Sequence, residues 1–325
     1  MQPDNTRTAD PSPQAFAGDS LGKTAKRLFN ATRPKFFPAS ALPVLAGSGW
    51  GFASTGQFDW LVFGLALFAT VCVHAASNVL NDVGDESGGT DQRNEDRIYP
   101  YTGGSRFIQT GIMSSREMAR LGISLLALAA LAGLALIFLR GEMVLYFGLA
   151  GVVLGVLYSL GPVRLASIGI GETAVAIAFG VVPVCGAAWL QGAALDNQLL
   201  LYSIPVSAWV AAILLINEVP DIDADGSTGK GTLPVRLGLG GTSFVYIGLN
   251  LAAAGITAWL AYTGALPQYS AVVPALLLIL AFKASAAIRK GIEDRAAMTK
   301  AIESTLAIHT IGCIWLLACV LIQYL

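Results

Sequence analysis

Nine stretches of this chain contain no Asp, Glu, Lys or Arg: residues 38–57, 60–80, 121–139, 143–160, 173–190, 199–217, 242–263, 265–282 and 306–325. Each is 18 to 22 residues long, enough for a helix rising about 1.5 Å per residue to cross a hydrocarbon layer of about 30 Å. A large soluble helical protein would carry charge on most of these helices, and none has any. Over the whole sequence only 13% of residues are charged, about half of the roughly 25% usual in soluble domains, so lipid has to cover the apolar excess. The expected fold is all-α, a polytopic membrane protein of nine transmembrane helices.

Basic residues set the orientation. Nineteen of the Lys and Arg residues fall before the first window or in alternate loops, and the opposite loops hold only Arg140. This asymmetry predicts a cytoplasmic N-terminus, a C-terminus outside, and a shared cytoplasmic side for loops 83–120, 218–241 and 283–305. Residues 1–22 are polar and lack the apolar segment of a cleaved signal. They are read as a disordered cytoplasmic tail, with 23–325 as one transmembrane domain. Cys72, Cys185, Cys313 and Cys319 lie in apolar windows without a C-x-x-C pair, so they suggest neither a disulfide framework nor a zinc site. Arg116, Arg120 and the basic stretch 283–300 suit contact with anionic headgroups of membrane lipids. No nucleic-acid partner is expected.

Two acidic motifs end up on that side. In SNVLNDVGDESGGTD (77–91), Asn78, Asp82 and Asp85 are spaced i, i+4, i+7 and share a helical face, after which Gly88 and Gly89 break the helix and let Asp91 fold back. In NEVPDIDAD (217–225), Asn217, Asp221 and Asp225 fall at i, i+4, i+8, with Glu218 beside them. Both repeat N-x-x-x-D-x-x-x-(D/E), 139 residues apart, which suggests two similar halves facing one another. Carboxylates stacked along one face repel unless cations neutralise them. Hard oxygen ligands in this number suit Mg²⁺, which commonly bridges carboxylates and phosphate oxygens. One such motif alone is as readily a solvated acidic loop; two matching motifs continuing apolar helices point to function. Arg93, Arg97, Arg106, Lys230 and Arg236 lie nearby in sequence and could pair with a diphosphate. No G-x-x-x-x-G-K-(S/T) loop is present, so ATP hydrolysis has no support.

From about residue 26 to 325 the chain resembles the UbiA-type intramembrane prenyltransferases, and within them the 1,4-dihydroxy-2-naphthoate polyprenyltransferases of menaquinone biosynthesis. The resemblance rests on RLFNATRPKFFPASALPVLAG, NDVGDESGGTD, YTGGSRFIQTG, LYSLGPVRLASIGIGE and NEVPDIDADGSTGKGTLPVRLG. It implies a bundle around a central cavity in the bacterial cytoplasmic membrane, two Mg²⁺ ions on the two motifs, a polyprenyl diphosphate donor and an aromatic quinone precursor as acceptor. It also implies that Asn78, Asp82, Asp85 and Asp91 form the first metal and diphosphate motif, and Asn217, Asp221 and Asp225 the second, with Arg33 and Lys230 near the diphosphate. Two positions depart from the family pattern: Glu86 stands where an Asp is usual, and Pro220 interrupts the second motif and should kink its helix.

The reaction so implied is electrophilic prenylation of an aromatic ring, in which Mg²⁺, Arg and Lys stabilise the leaving diphosphate. Tyr158 is a candidate for cation–π contact with the allylic cation, or equally an interfacial tyrosine. Glu172 either orients the acceptor or takes its proton, or is a helix N-terminal carboxylate without catalytic duty. His74 and His309 read as hydrogen-bonded core residues. A transporter is the rival from another class, since half-repeats and intramembrane polar groups mark transporters too. Transporters place such groups near the midplane; here they gather at one surface. 4-Hydroxybenzoate, homogentisate and haem are the alternative acceptors.

Overall fold

The computed structural model describes residues 10–89, 94–159 and 165–324, and no strand occurs among them. The helices are α1 (Leu21–Ala31), α2 (Pro38–Thr55), α3 (Trp60–Gly88), α4 (Ser115–Arg140), α5 (Met143–Ser159), α6 (Gly171–Leu190), α7 (Asn197–Asn217), α8 (Ile222–Ser227), α9 (Leu233–Tyr262), α10 (Val272–Lys290) and α11 (Arg295–Tyr324). Each of the nine charge-free windows overlaps one of the long helices. Among the described residues, six helical stretches are long and apolar enough to cross a membrane by themselves, and the last of them, Gln268–Tyr324, comprises both α10 and α11. α2 and α5 fall short of that mark because α2 is built largely of Gly, Ala, Ser and Pro, and α5 is only 17 residues long.

Helix ends follow local chemistry. The Asp59 carboxylate accepts from the amides of Leu61 and Val62 and starts α3, and Ser114 and Glu117 form a reciprocal capping box on α4. Gly89, at φ 74°, closes α3 in the left-handed conformation. α6 carries a π-helical turn at Ile177–Val181, just before Pro183.

α7 is the central helix: 78% of its apolar window is buried, against 22% for the peripheral α4. It packs on α9 and α11; α2 runs along α6, and α3 along α4. Small residues allow these approaches. A Cβ on Gly47 of α2 would lie 2.1 Å from the Val184 carbonyl oxygen of α6, and one on Gly312 of α11 would strike the Trp209 ring of α7 at 2.5 Å. The outer surface is apolar, with Phe138, Ile123, Leu131, Leu134, Phe244, Trp259 and Phe282 exposed, a surface suited to lipid and not to water.

Within the segment read as a tail, residues 10–22 make specific contacts. Pro13–Phe16 forms a helical turn, and Phe16 packs edge-on against Phe107 with centroids 4.9 Å apart. Asp10 also pairs with Arg97, and composition alone does not reveal contacts of this kind.

Candidate functional site

The first motif stays helical to Gly88, so Asn78, Asp82 and Asp85 do share one face of α3. The second does not form a continuous stripe. α7 ends at Asn217, the chain turns through Val219–Asp221, and α8 restarts at Ile222, because Pro220 cannot donate the next helical hydrogen bond. Asp221 therefore leaves the helix axis, and Asp225 is carried on α8.

Lys230 joins the two motifs. Its Nζ lies 3.4 Å from Asp225 Oδ1 and 4.0 Å from Asp85 Oδ1. The loop from Asn94 to Arg106 closes over the same ground. Asn94 Nδ2 donates to Asp221 Oδ1 at 2.7 Å, and the Ser105 amide donates to Asp82 Oδ2 at 2.9 Å. Asp82 and Asp225 are each 2% exposed. The other carboxylate oxygen of Asp82, Oδ1, is buried without a partner, as is Asn217 Oδ1. Buried acceptors of this kind are costly unless a cation or donor meets them.

Negative charge is in excess here. Burial pushes Asp225 up to about 7, with Lys230 opposing and Asp221 and Asp85 adding to the rise. Burial likewise raises Asp221, against its hydrogen bond from Asn94 and the Lys230 charge. For Lys230, burial works downward, but Asp85 and Asp225 outweigh it and hold the ammonium above its ordinary value. Asp85 and Asp225 on one ammonium, with an orphaned carboxylate oxygen on Asp82, are hard anionic oxygens of the type that Mg²⁺ takes. Among the described residues no group of three His, Cys, Asp or Glu side chains is close enough to hold a metal. Asp91 and Arg93 lie outside the described residues.

Arg33 and Arg106 are the two non-glycine residues at positive φ, 57° and 64°, among those described. Left-handed backbone at such residues costs about 1 kcal/mol or more and persists where surrounding contacts enforce it, often at functional sites. Arg33 Nη2 donates to the Tyr101 carbonyl at 3.2 Å, its guanidinium lies over the Phe36 ring, and its Nε is buried without a partner. Asn78 Nδ2 donates to the Thr32 carbonyl at 3.0 Å, bracing the Arg33 turn against α3. Arg97 and Arg106 instead face Asp10, which sequence reading left in the tail. Glu86 turns aside and accepts from Gln109 Nε2 at 2.7 Å.

Tyr158, at the end of α5, packs on the start of α6: a Cβ on Gly171 would lie 3.4 Å from its Cε2. Beside it Glu172 and Glu218 are buried, 6% and 8% exposed, with Glu172 Oε1 and Glu218 Oε2 left without a hydrogen-bond partner. Burial, and then the Glu172 charge, push Glu218 well above its ordinary value. His74 Nδ1 meets Ser40 Oγ at 2.9 Å, as a hydrogen-bonded core residue should, whereas buried His309 leaves Nε2 without a partner. Asn94, Ser105 and Asp10 were missed by the sequence reading; they sit in loop and tail, where no helical periodicity marks them.

The model of the UbiA prenyltransferase family matches residues 40–320. The 1,4-dihydroxy-2-naphthoate octaprenyltransferase of Haemophilus influenzae is 32% identical over 226 residues, 67% of this chain and 71% of that protein. Among solved structures, the apo form of a UbiA homolog from Aeropyrum pernix K1 superposes with a TM-score of 0.65 at 20% identity, covering 88% of this chain and 98% of that one. A UbiA homolog from Archaeoglobus fulgidus bound to DMAPP and Mg²⁺ gives 0.60 at 17% identity, over 90% and 99%.

Proposed function

This chain belongs to the UbiA prenyltransferase family, and from that premise we propose that it transfers an isoprenyl chain from a polyprenyl diphosphate to 1,4-dihydroxy-2-naphthoate, with loss of CO₂, in quinone biosynthesis. The observation that carries this reading is the meeting of two acidic motifs, 139 residues apart, across Lys230. The described carboxylates Asp82, Asp85, Asp221 and Asp225 would hold Mg²⁺, two ions by the family pattern. Bound there, the metal supplies positive charge to the diphosphate oxygens as the allylic C–O bond breaks. Arg33, Arg97, Arg106 and Lys230 bind the same oxygens, with Asn78 and Asn217 holding the helix ends around them.

The bonding electrons leave with the diphosphate, and the allylic carbon bonds to the ring carbon that bears the carboxylate. That carboxylate departs as CO₂ and its bonding pair restores aromaticity. Tyr158 presents an aromatic face to the allylic cation. Glu172, buried beside Tyr158, orients the acceptor hydroxyl or takes its proton. Nine crossings bring all three polar loops to the cytoplasmic side of the membrane, around a central cavity. The test is to incubate purified protein with labelled prenyl diphosphates and a panel of acceptors. Prenylated naphthol that forms with Mg²⁺ and stops with EDTA supports the reading; no transfer to any acceptor overturns it.

A further inference from the structure

The N-terminal segment reaches back to the diphosphate side of the site. Arg97 grips the Asp10 carboxylate as a fork, Nε to Oδ1 at 3.1 Å and Nη2 to Oδ2 at 2.7 Å. Arg106 Nε stands 3.7 Å from the same Oδ2. Two guanidinium groups on one carboxylate is the geometry by which arginines bind phosphate oxygens. Nothing in the fold of the helices demands this contact, since Asp10 lies eleven residues before α1. Local contacts hold the segment in place. Phe16 sits against Phe107, Lys26 Nζ lies 5.1 Å above the Phe16 ring, and Arg27 Nη1 donates to the Phe16 and Gly18 carbonyls at 3.2 and 2.8 Å. α1 therefore tethers residues 10–18 as a strap that can leave the arginines without unfolding a membrane helix.

We infer that Asp10 is an internal anion that occupies the diphosphate-binding arginines Arg97 and Arg106 until substrate displaces it, so that the strap sets the affinity for the prenyl diphosphate. The inference rests on the diphosphate role given above to those two arginines. A contact with side chains about a quarter exposed is weak enough to exchange: Arg97 and Asp10 are 23% and 26% exposed. A diphosphate, with more charge and more oxygens, is the stronger ligand for the same pair.

The test uses the full-length enzyme in detergent or nanodiscs with Mg²⁺ present. Asp10→Asn should lower KM for the prenyl diphosphate about two- to fivefold, the worth of one partly exposed ion pair. Inorganic pyrophosphate should become a tighter inhibitor by the same factor, with kcat within about twofold. Deleting residues 1–12 should do the same, and Asp10→Glu should stay near wild type. An unchanged or raised KM in both Asp10→Asn and the deletion would overturn the inference and leave Asp10 a structural contact. Arg97→Gln separates the premise: if it raises KM for the diphosphate, the arginine role stands whatever Asp10 does. If Arg97→Gln leaves KM unchanged, the premise and the inference fall together, while transfer activity itself remains.

Discussion

Replacing Lys230 with Gln removes the ammonium that ties Asp85 to Asp225. At an effective dielectric constant of about 20, its attraction to Asp225 at 3.4 Å is about 5 kcal/mol and to Asp85 at 4.0 Å about 4 kcal/mol. Those gross terms are offset by the cost of taking the charges out of water. Removing one partner of a buried pair leaves a net loss of about 3–5 kcal/mol. Two features reduce it here. The Lys230 side chain is 24% exposed, and Asp225, near pKa 7, can take up a proton when its partner is lost. A loss of about 2 kcal/mol of stability in metal-free protein is therefore expected, measured by thermal unfolding in detergent at pH 8. Because Mg²⁺ would neutralise the same carboxylates, the deficit should shrink as Mg²⁺ is added. Adding Asp225→Asn to Lys230→Gln should recover most of it, a coupling of about 1–2 kcal/mol. An equal deficit with and without Mg²⁺, together with strict additivity in the double variant, would refute the electrostatic account of how the two motifs are joined.

Asp82→Ala and Asp221→Ala should each abolish turnover in a folded protein. Retention by both of more than about a tenth of the wild-type rate, a barrier change below about 1.4 kcal/mol, would rule out their metal role. Cysteines placed at exposed Ser87 and Ser227 should react with an impermeant reagent from the cytoplasmic side alone; labelling of either from outside would reverse the topology. Asp225 and Asp221 are raised in the folded state, so between about pH 4 and 7 the folded protein keeps protons that the unfolded chain has released. Metal-free stability should accordingly fall as pH rises through that window, and Asp225→Asn should flatten the slope in denaturation series. The Lys230 contribution is complete throughout this range, since its ordinary value of 10.5 lies above it.

Long charge-free runs made the helices legible, since a backbone in lipid has few options besides the helix. The end of α3 and the break at Pro220 were legible too, from Gly88–Gly89 and from the missing proline amide. Less visible was that α2 would be a weak span by hydropathy. Its Gly, Ala and Ser residues face protein, as at Gly47 on Val184, and need no lipid-facing bulk. Asp82 and Asp85 share a face because their spacing matches the helix period, whereas Asp221 and Asp225 follow the Pro220 break, where that period does not carry over. Their partners could not be read from the sequence. Asn94 on Asp221, the Ser105 amide on Asp82 and Asp10 on Arg97 are long-range or loop contacts whose residues carry no periodic signal. The left-handed Arg33 and Arg106 were likewise hidden, because arginine gives no hint of positive φ and only the surrounding contacts impose it.

The acceptor is tested most directly by 1,4-dihydroxy-2-naphthoate labelled in its carboxylate. A prenyl cation attacking the carbon that bears this group must expel it, so label should leave as CO₂ in one-to-one step with prenylation. 4-Hydroxybenzoate would be prenylated beside its hydroxyl and lose only a proton. Release of labelled CO₂ equal to product formed, dependent on Mg²⁺, is the expected result. Prenylated product that keeps its carboxylate label, or turnover confined to 4-hydroxybenzoate, would contradict the naphthoate reaction proposed for this enzyme.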